Sequence, residues 1–499
     1  MYKHNVTQDT TRVENHSKRS NLWCRADLTR NTQSRATIIF KKVYNRNSPK
    51  NQWCCVLEWD KTPSMKTTLL ALTLLTALDA NAADPPSLLN RLKDEHARGQ
   101  KQWIYNDYQK AVAVAKATGK PIFVTFRCVP CEACESFDAE VAKNNQRIKN
   151  LAEKQFISLR QVEMKGVDLS QFQFDYDLSW AAMFINADGT VYGRYGTQSA
   201  AGADAYNSVE SLEKTMHRVL STHANYTTYK KYLTDKRGKP KPYKTALQMP
   251  GLSRERKEKL QLLTERKNCI HCHNIHDAEN NQLKLTGKWS NDALWRYPLP
   301  DNIGLIIDPK DGLKISKVIE GSPAAKAGLK GGQSIGYIND QLILSIADIQ
   351  WVLHNLPKGP TRIKVRTWTE KRERILNMDA GWKKTDVSWR GSMGSVGPFL
   401  GVWAPTATPQ ELKKLNLPDG GNALKVKWIN KGTSGGRTVF KAGLREGDYI
   451  LALEGKPFNE TITPQRFTTH IKLNHKSGQK LNVTLMRNNK RIPFQWPLQ

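Results

Sequence analysis

The chain has 499 residues, 77 lysines and arginines against 46 aspartates and glutamates, and a formal charge of +31. At about 100–200 residues per domain, that length excludes a single core and calls for three or four modules. The charge invites nucleic acid as a partner, but the cations are spread along the whole chain. No zinc-finger, helix-turn-helix or RNA-binding signature accompanies them, so they read as a preference for acidic surfaces rather than as a nucleic-acid module.

Residues 1–64 are polar, basic and without periodicity, and read as a non-native or disordered amino-terminal extension upstream of a true start at Met65. Lys66, the apolar run from Leu69 to Leu78 and the small residues Ala80-Asn81-Ala82 make a secretory signal peptide over 65–82. The run is short for a permanent anchor, and no second stretch of membrane length follows, so the mature protein is expected to be exported and not transmembrane. Export changes the reading of the cysteines. All five beyond the signal lie in two tight groups, Cys128/Cys131/Cys134 and Cys269/Cys272. A disulfide framework would scatter them, whereas close pairs point to redox chemistry or to a metal or cofactor.

Over 83–224, helical spacing runs from Trp103 to Thr118, and Gly119-Lys120-Pro121 ends that helix. Ile122 to Phe126 reads as a buried strand entering Cys128-Val129-Pro130-Cys131-Glu132-Ala133-Cys134, and Phe137 to Phe156 reads as mostly helical. Phe184 to Tyr192 reads as strand, Asp-Gly turn, strand, with a closing helix over Ser208–Leu220. Strand, cysteine turn and helix in this order resemble thioredoxin. Counting from Phe126 as in thioredoxins, the resemblance places the nucleophile at Cys131, at a helix amino terminus that would favour its thiolate. Cys134 would then resolve the mixed disulfide, with Cys128 an additional thiol. The rival pair, Cys128-Val-Pro-Cys131, is also CxxC and stays open. The stretch Leu178-Ser179-Trp180-Ala181 lacks the cis-proline that thioredoxins place opposite the active site, which implies an altered substrate platform.

Residues 225–296 read as a connector carrying Cys269-Ile270-His271-Cys272-His273. C-x-x-C-H is the attachment signature of c-type haem: two thiols meet the vinyl groups and the histidine, here His273, takes the iron. The sixth ligand is open among Met249, Met393 and His276. Zinc on Cys269, Cys272, His273 and His276 is the less favoured alternative, because zinc modules draw on two separated pairs. A simple disulfide is the third possibility.

The carboxy-terminal half contains Asn302-Ile303-Gly304-Leu305, then Gly321-Ser322-Pro323-Ala324-Ala325-Lys326-Ala327-Gly328-Leu329, Gly332 to Asp340, and a helix over Ser345–Leu356. It closely resembles the PDZ modules of bacterial Deg-type proteases. A degenerate second copy runs from Phe399-Leu400-Gly401-Val402 through Phe440 to Ile450 and a last strand, Leu481–Met486, a repeat of about 100 residues. This places PDZ domain 1 over 297–380 and a PDZ-like domain 2 over 381–499. Such modules add an extended peptide to a sheet edge and bind its carboxylate on loop amides, here those of Asn302, Ile303, Gly304 and Leu305 and, second, of Phe399 to Val402. Gly432-Thr433-Ser434-Gly435-Gly436 mimics a serine-protease nucleophile loop, but it sits inside the second copy with no protease barrel before it. A serine protease is not expected.

Signal peptide, CVPCEAC, CIHCH and the Tyr297–Leu305 entry together resemble a family of bacterial exported thioredoxin-like/PDZ fusion proteins, some members of which are selenoproteins. The expected architecture is multidomain, α/β plus β-rich: a thioredoxin-like domain followed by two PDZ-like modules. The expected function is thiol–disulfide oxidoreduction or electron transfer in the periplasm or cell envelope, with a redox-active centre and a protein or peptide ligand on the PDZ modules. A non-catalytic scaffold with structural or metal-binding cysteines is the alternative.

Overall fold

The computed structural model describes residues 87–499 except Lys371 and Glu460, together with the backbone of three strands nearer the amino terminus. Those strands, β1 (Arg25–Leu28), β2 (Ala36–Val43) and β3 (Gln52–Trp59), pair antiparallel in the order β1-β2-β3. They fall within the extension for which no fold is expected, where Ile38-Ile39-Phe40 and Val56-Leu57 supply the strand preference. The signal-like stretch 65–82 lies outside the described residues. Residues 1–85 and 86–499 form separate compact units.

The second unit opens with a five-stranded sheet in the order β4-β6-β5-β7-β8: β4 (Trp103–Tyr105), β5 (Ile122–Arg127), β6 (Ile157–Gln161), β7 (Trp180–Ile185) and β8 (Val191–Tyr195). β4, β6 and β5 run parallel, and β7 and β8 are antiparallel to them. The helical spacing at Trp103 misleads: parallel pairing with β6 claims Trp103–Tyr105 as a strand. The helix begins only at Tyr108, where the Asp107 side chain accepts the Lys110 amide at 2.9 Å. The expected helix over Phe137–Phe156 is likewise broken, into Glu135–Ala139, a π turn over Glu140–Asn144 and Gln146–Lys154 capped by Asn145. The closing helix is Val209–Ala224, capped by Ser208.

Successive side chains of a strand face opposite ways, and β7 shows what that does here. Trp180, Ala182 and Phe184 enter one core with Phe123, Phe137 and Met216. Ala181, Met183 and Ile185 enter the other, with Phe126 and Phe172. That second core also contains Met249, Leu260, Ile270, Cys272, Ile275 and Ala278. The stretch expected as a connector is therefore structural: it covers one face of the sheet and carries the helix His273–Leu285.

The first PDZ module pairs β9 (Leu305–Ile307) with β10 (Ile315–Val318). Its larger sheet runs β12 (Gln341–Leu342), β11 (Ile335–Ile338), β13 (Thr361–Thr367), β14 (Arg374–Met378). Its helix Ile346–Asn355 is buried from Ile346 to Leu353 because it docks on β8. Asp348 accepts the Arg194 amide at 3.0 Å and the Lys236 ammonium at 2.8 Å, and the Arg194 guanidinium lies 3.5 Å from the Trp351 ring centre. The second module repeats the plan. β15 (Val402–Trp403) pairs with β17 (Trp428–Ile429), and β16 (Leu424–Lys425), β18 (Tyr449–Leu453), β20 (Lys480–Arg487) and β21 (Lys490–Pro497) form one sheet, with β19 (Lys456–Pro457) beside β18.

A buried carboxylate joins three of these parts. Asp177, just before β7, accepts His276 Nδ1 at 2.9 Å, Arg390 Nη1 at 3.1 Å, the Ser392 amide at 2.7 Å and the Ser392 hydroxyl at 2.8 Å. Arg390 also reaches Asp175 at 2.7 Å. Burial alone would raise the Asp177 carboxyl. The His276 imidazole, the Arg390 guanidinium and the Ser392 amide overcome it and hold the group well below the usual carboxylate range. A carboxyl lowered on folding contributes stability above its unfolded pKa, about 3.9, and that contribution is lost as pH falls towards the folded value. Asp177→Asn is therefore expected to cost about 3–5 kcal/mol at pH 7. It should also flatten the acid limb below about pH 4. Thermal melting followed from pH 7 to pH 2 in both proteins checks this, and parallel curves would contradict it.

Candidate functional site

β5 delivers Arg127 and Cys128 to the carboxyl end of the sheet, where the chain turns and the Cys131 amide donates to the Cys128 carbonyl at 3.0 Å. That closure sets the two side chains next to one another. The turn is held from below by Arg127, which donates to the Cys131 carbonyl at 2.5 Å and to the Ala133 carbonyl at 2.8 Å. Arg127 Nε lies 3.5 Å from buried Asp138, which is also bound by Arg160 and His96 at 2.8 Å and by the Trp180 indole at 3.0 Å.

From the other side comes His271, between the second pair of cysteines. Its Nδ1 lies 2.8 Å from Cys128 Sγ and 3.5 Å from Cys131 Sγ. Asn274 fixes the loop by accepting the His271 amide at 3.2 Å. Cys128 is buried, whereas Cys131 is half-buried and lines a polar cleft of 270 Å³ with Glu132, His96 and Arg266. The Cys128 thiol, then the His271 imidazole and Arg127, hold Cys131 well below the ordinary thiol range against the cost of its burial. Cys128 moves the other way, because it donates to Cys131 and is buried. The arrangement is an accessible, thiolate-prone sulfur, a covered partner thiol and an imidazole between them.

The structure thus brings together Cys128 and Cys131, the pair that strand counting ranked second. Cys134 is the cap of the Glu135–Ala139 helix, with φ 59°, and its buried thiol packs with Phe137 and Trp180. Burial, then Asp204, pushes it up. Cys131 therefore lies ahead of the helix rather than at its amino terminus, and its activation comes from side chains instead of the helix dipole. His271, Arg127 and Asp138 are the residues sequence reasoning missed. His271 was hidden by the stronger C-x-x-C-H pattern around it.

Cys269 and Cys272 are buried, 3% and 8% exposed, and burial pushes both up to about 12. Cys269 Sγ lies 3.9 Å from the Val162 carbonyl, and Cys272 is in the sheet core. His273 turns to Asp277 at 3.2 Å and lies against Gly391, where a Cβ would stand 2.9 Å from its Cγ. The residues as folded do not fit a haem: the thiols face inward, and His273 is held between a carboxylate and a backbone. Met249 and Met393 sit in separate cores, and His276 is held by Asp177. The four donors expected for zinc are equally dispersed. Among the described residues two donor sets converge within 4.8 Å: Asp175, Asp177 and His276, and Cys128, Cys131 and His271, the latter the one whose sulfurs could hold a soft cation.

Of the expected peptide loop, Ile303 and Leu305 are fully buried, Gly304 donates to Asp301, and the Asn302 side chain donates to Trp382 and Lys384. Tyr206, from the thioredoxin-like domain, packs into the groove between β9 and Ile346, leaving about 10 Å³. The second module is open. A cleft of 210 Å³ runs between Leu400–Ala404 and the helix Pro464–Asn474, lined by Val402, Trp403, Phe467 and Lys472. In the protease-like stretch, Gly435 and Gly436 serve close packing instead, since a Cβ on either would stand about 2 Å from the Phe399 or Asn430 carbonyl oxygen.

Fold and site define a thioredoxin-like domain followed by a PDZ domain. Residues 103–187 match the thioredoxin-like family and 314–367 the PDZ domain. Among curated proteins, the chain is similar to a "probable periplasmic serine endoprotease DegP-like" of Pseudomonas savastanoi pv. phaseolicola, 28% identical over 219 residues, 42% of each chain. A protein of the same description from a Marinomonas species is 25% identical over 182 residues, 35% of this chain and 36% of its own. The chain thus spans less than half the length of these relatives. Among solved structures, the HtrA3 PDZ domain with a phage-derived ligand matches at 18% identity and a TM-score of 0.16, over 21% of this chain and 86% of its own. No described helix is long and apolar enough to cross a membrane.

His271→Ala is expected to slow alkylation of Cys131 by iodoacetamide at pH 7 about ten-fold, by loss of its hydrogen-bond partner. Peptide mass spectrometry of quenched samples measures this, and an unchanged rate would show that the imidazole does not activate the thiol.

Proposed function

We propose that the protein is an exported thiol–disulfide oxidoreductase of the periplasm or cell envelope. In this reading Cys131 attacks a substrate disulfide, Cys128 resolves the mixed disulfide, and His271 moves the proton between them. The observation that carries it is the convergence of the two thiols on one imidazole, with only Cys131 open to the cleft. A metal-binding scaffold is the competing reading, favoured by the same donor set. It predicts stoichiometric zinc in the reduced protein and no exchange with disulfides.

Cys128→Ser is expected to accumulate a mixed disulfide through Cys131 when the protein meets its substrates. Added to Cys128→Ser, Cys131→Ser should abolish the adduct and Cys134→Ser should leave it. Non-reducing gels resolve the three cases, and an adduct that persists in Cys131→Ser would remove the assignment.

Peptide capture in this reading belongs to the second module, whose groove is open, rather than to the first, whose groove Tyr206 fills. Trp403→Ala is expected to weaken binding of an apolar carboxy-terminal peptide about ten-fold, or about 1.4 kcal/mol. Fluorescence anisotropy measures it, and an unchanged affinity would place the peptide elsewhere.

A further inference from the structure

We propose that Cys269 and Cys272 form a second, internal dithiol that exchanges electrons with the Cys128/Cys131 pair, so that the chain stores two electrons behind the thiol that faces the cleft. The proposal rests on the thiol-exchange reading above and adds a relay to it.

Three observations place the second pair against the first. β5 and β6 are hydrogen-bonded parallel neighbours, with Phe126 opposite Gln161, and such strands lie about 4.8 Å apart. Cys128 follows Phe126 by two residues, and Val162, whose carbonyl is 3.9 Å from Cys269 Sγ, follows Gln161 directly. His271 lies between Cys269 and Cys272 in the chain and touches both sulfurs of the first pair. The 269–272 loop therefore rests on the 128–131 turn.

Burial then sets the route. Cys269 and Cys272 are 3% and 8% exposed, so a substrate disulfide meets Cys131 in the cleft first. All five described cysteines beyond residue 86 are free thiols. Neither Cys269 nor Cys272 joins the three donors that lie within 4.8 Å of one another, so the four sulfurs are not gathered as a closed metal cage.

The exchange balances as follows. The Cys131 thiolate attacks the substrate disulfide, and one substrate thiol leaves. Cys128 displaces the second, forming the Cys128–Cys131 disulfide. Cys272 attacks Cys128 Sγ, the Cys128–Cys131 bond breaks, and Cys131 leaves as a thiolate beside His271 and Arg127. The attack falls on Cys128 because a stabilised thiolate is the better leaving group. Cys269 then attacks Cys272 Sγ, the Cys128–Cys272 bond breaks, and Cys128 takes up a proton. The inner dithiol has lost two electrons and two protons, and one substrate disulfide has become two thiols.

The test uses the full chain, reduced and then mixed with one equivalent of oxidised glutathione. Aliquots are quenched by alkylation and disulfides are mapped by mass spectrometry. In the wild type the Cys128–Cys131 disulfide should appear first and decay as Cys269–Cys272 rises, a sequence that needs no variant. In Cys131→Ser the inner pair should oxidise at least ten-fold more slowly. In Cys269→Ser a Cys128–Cys272 disulfide should accumulate, with circular dichroism confirming the fold. Oxidation that stops at Cys128–Cys131 overturns the relay and leaves the thiol-exchange reading standing, and so does inner oxidation at an equal rate in Cys131→Ser. Failure of Cys128–Cys131 to form even in Cys272→Ser overturns the thiol-exchange reading, and the relay with it.

Discussion

Asp177 is the constraint on which the site depends. A carboxylate buried at the head of β7 is tolerable only when its lone pairs are filled, and the groups that fill it come from distant parts of the chain. His276 belongs to the helix behind the second cysteine pair, and Arg390 and Ser392 belong to the segment that leads into the second PDZ-like module. Satisfying one charge thus fixes two segments against the sheet. His276 follows His271 by five residues, so the bond that anchors the helix also sets the loop whose imidazole meets Cys128 and Cys131.

Much of the architecture was legible because it rests on local pattern. β5 is a buried, mostly apolar run between a proline and a cysteine, and Ser208, Ser322 and Ser345 cap helices near where sequence places them. The errors came from pairing over long distances. Trp103 to Tyr105 carries a helical spacing, yet a parallel neighbour some 55 residues away claims it as a strand. The cysteine pairing failed for a related reason. Counting residues from a strand assumes that the helix starts where it does in thioredoxins, and here it starts after Cys134. His271 was out of reach altogether, since its partners lie about 140 residues earlier in the chain.

The two PDZ-like modules look alike in sequence and differ in what their grooves meet. The first turns its helix inward to β8 and receives Tyr206 between that helix and β9, so it acts as packing for the thioredoxin-like domain. The second keeps its groove clear, with apolar walls and a lysine at one side. Nothing in the repeated motifs separates these outcomes. The difference lies in Arg194, Tyr206 and Lys236, residues outside both modules.

The contact between Gly391 and His273 has a structural corollary. A single methyl at residue 391 would stand 2.9 Å from the imidazole carbon, closer than real Cβ atoms approach a neighbour. Alanine there would act as a wedge, levering the first turn of the His273–Leu285 helix away from the strap that holds it. Residue 391 thus works as a seat by virtue of having no side chain, and its smallness lets the start of the His273–Leu285 helix, and the cysteine loop before it, pack where they do.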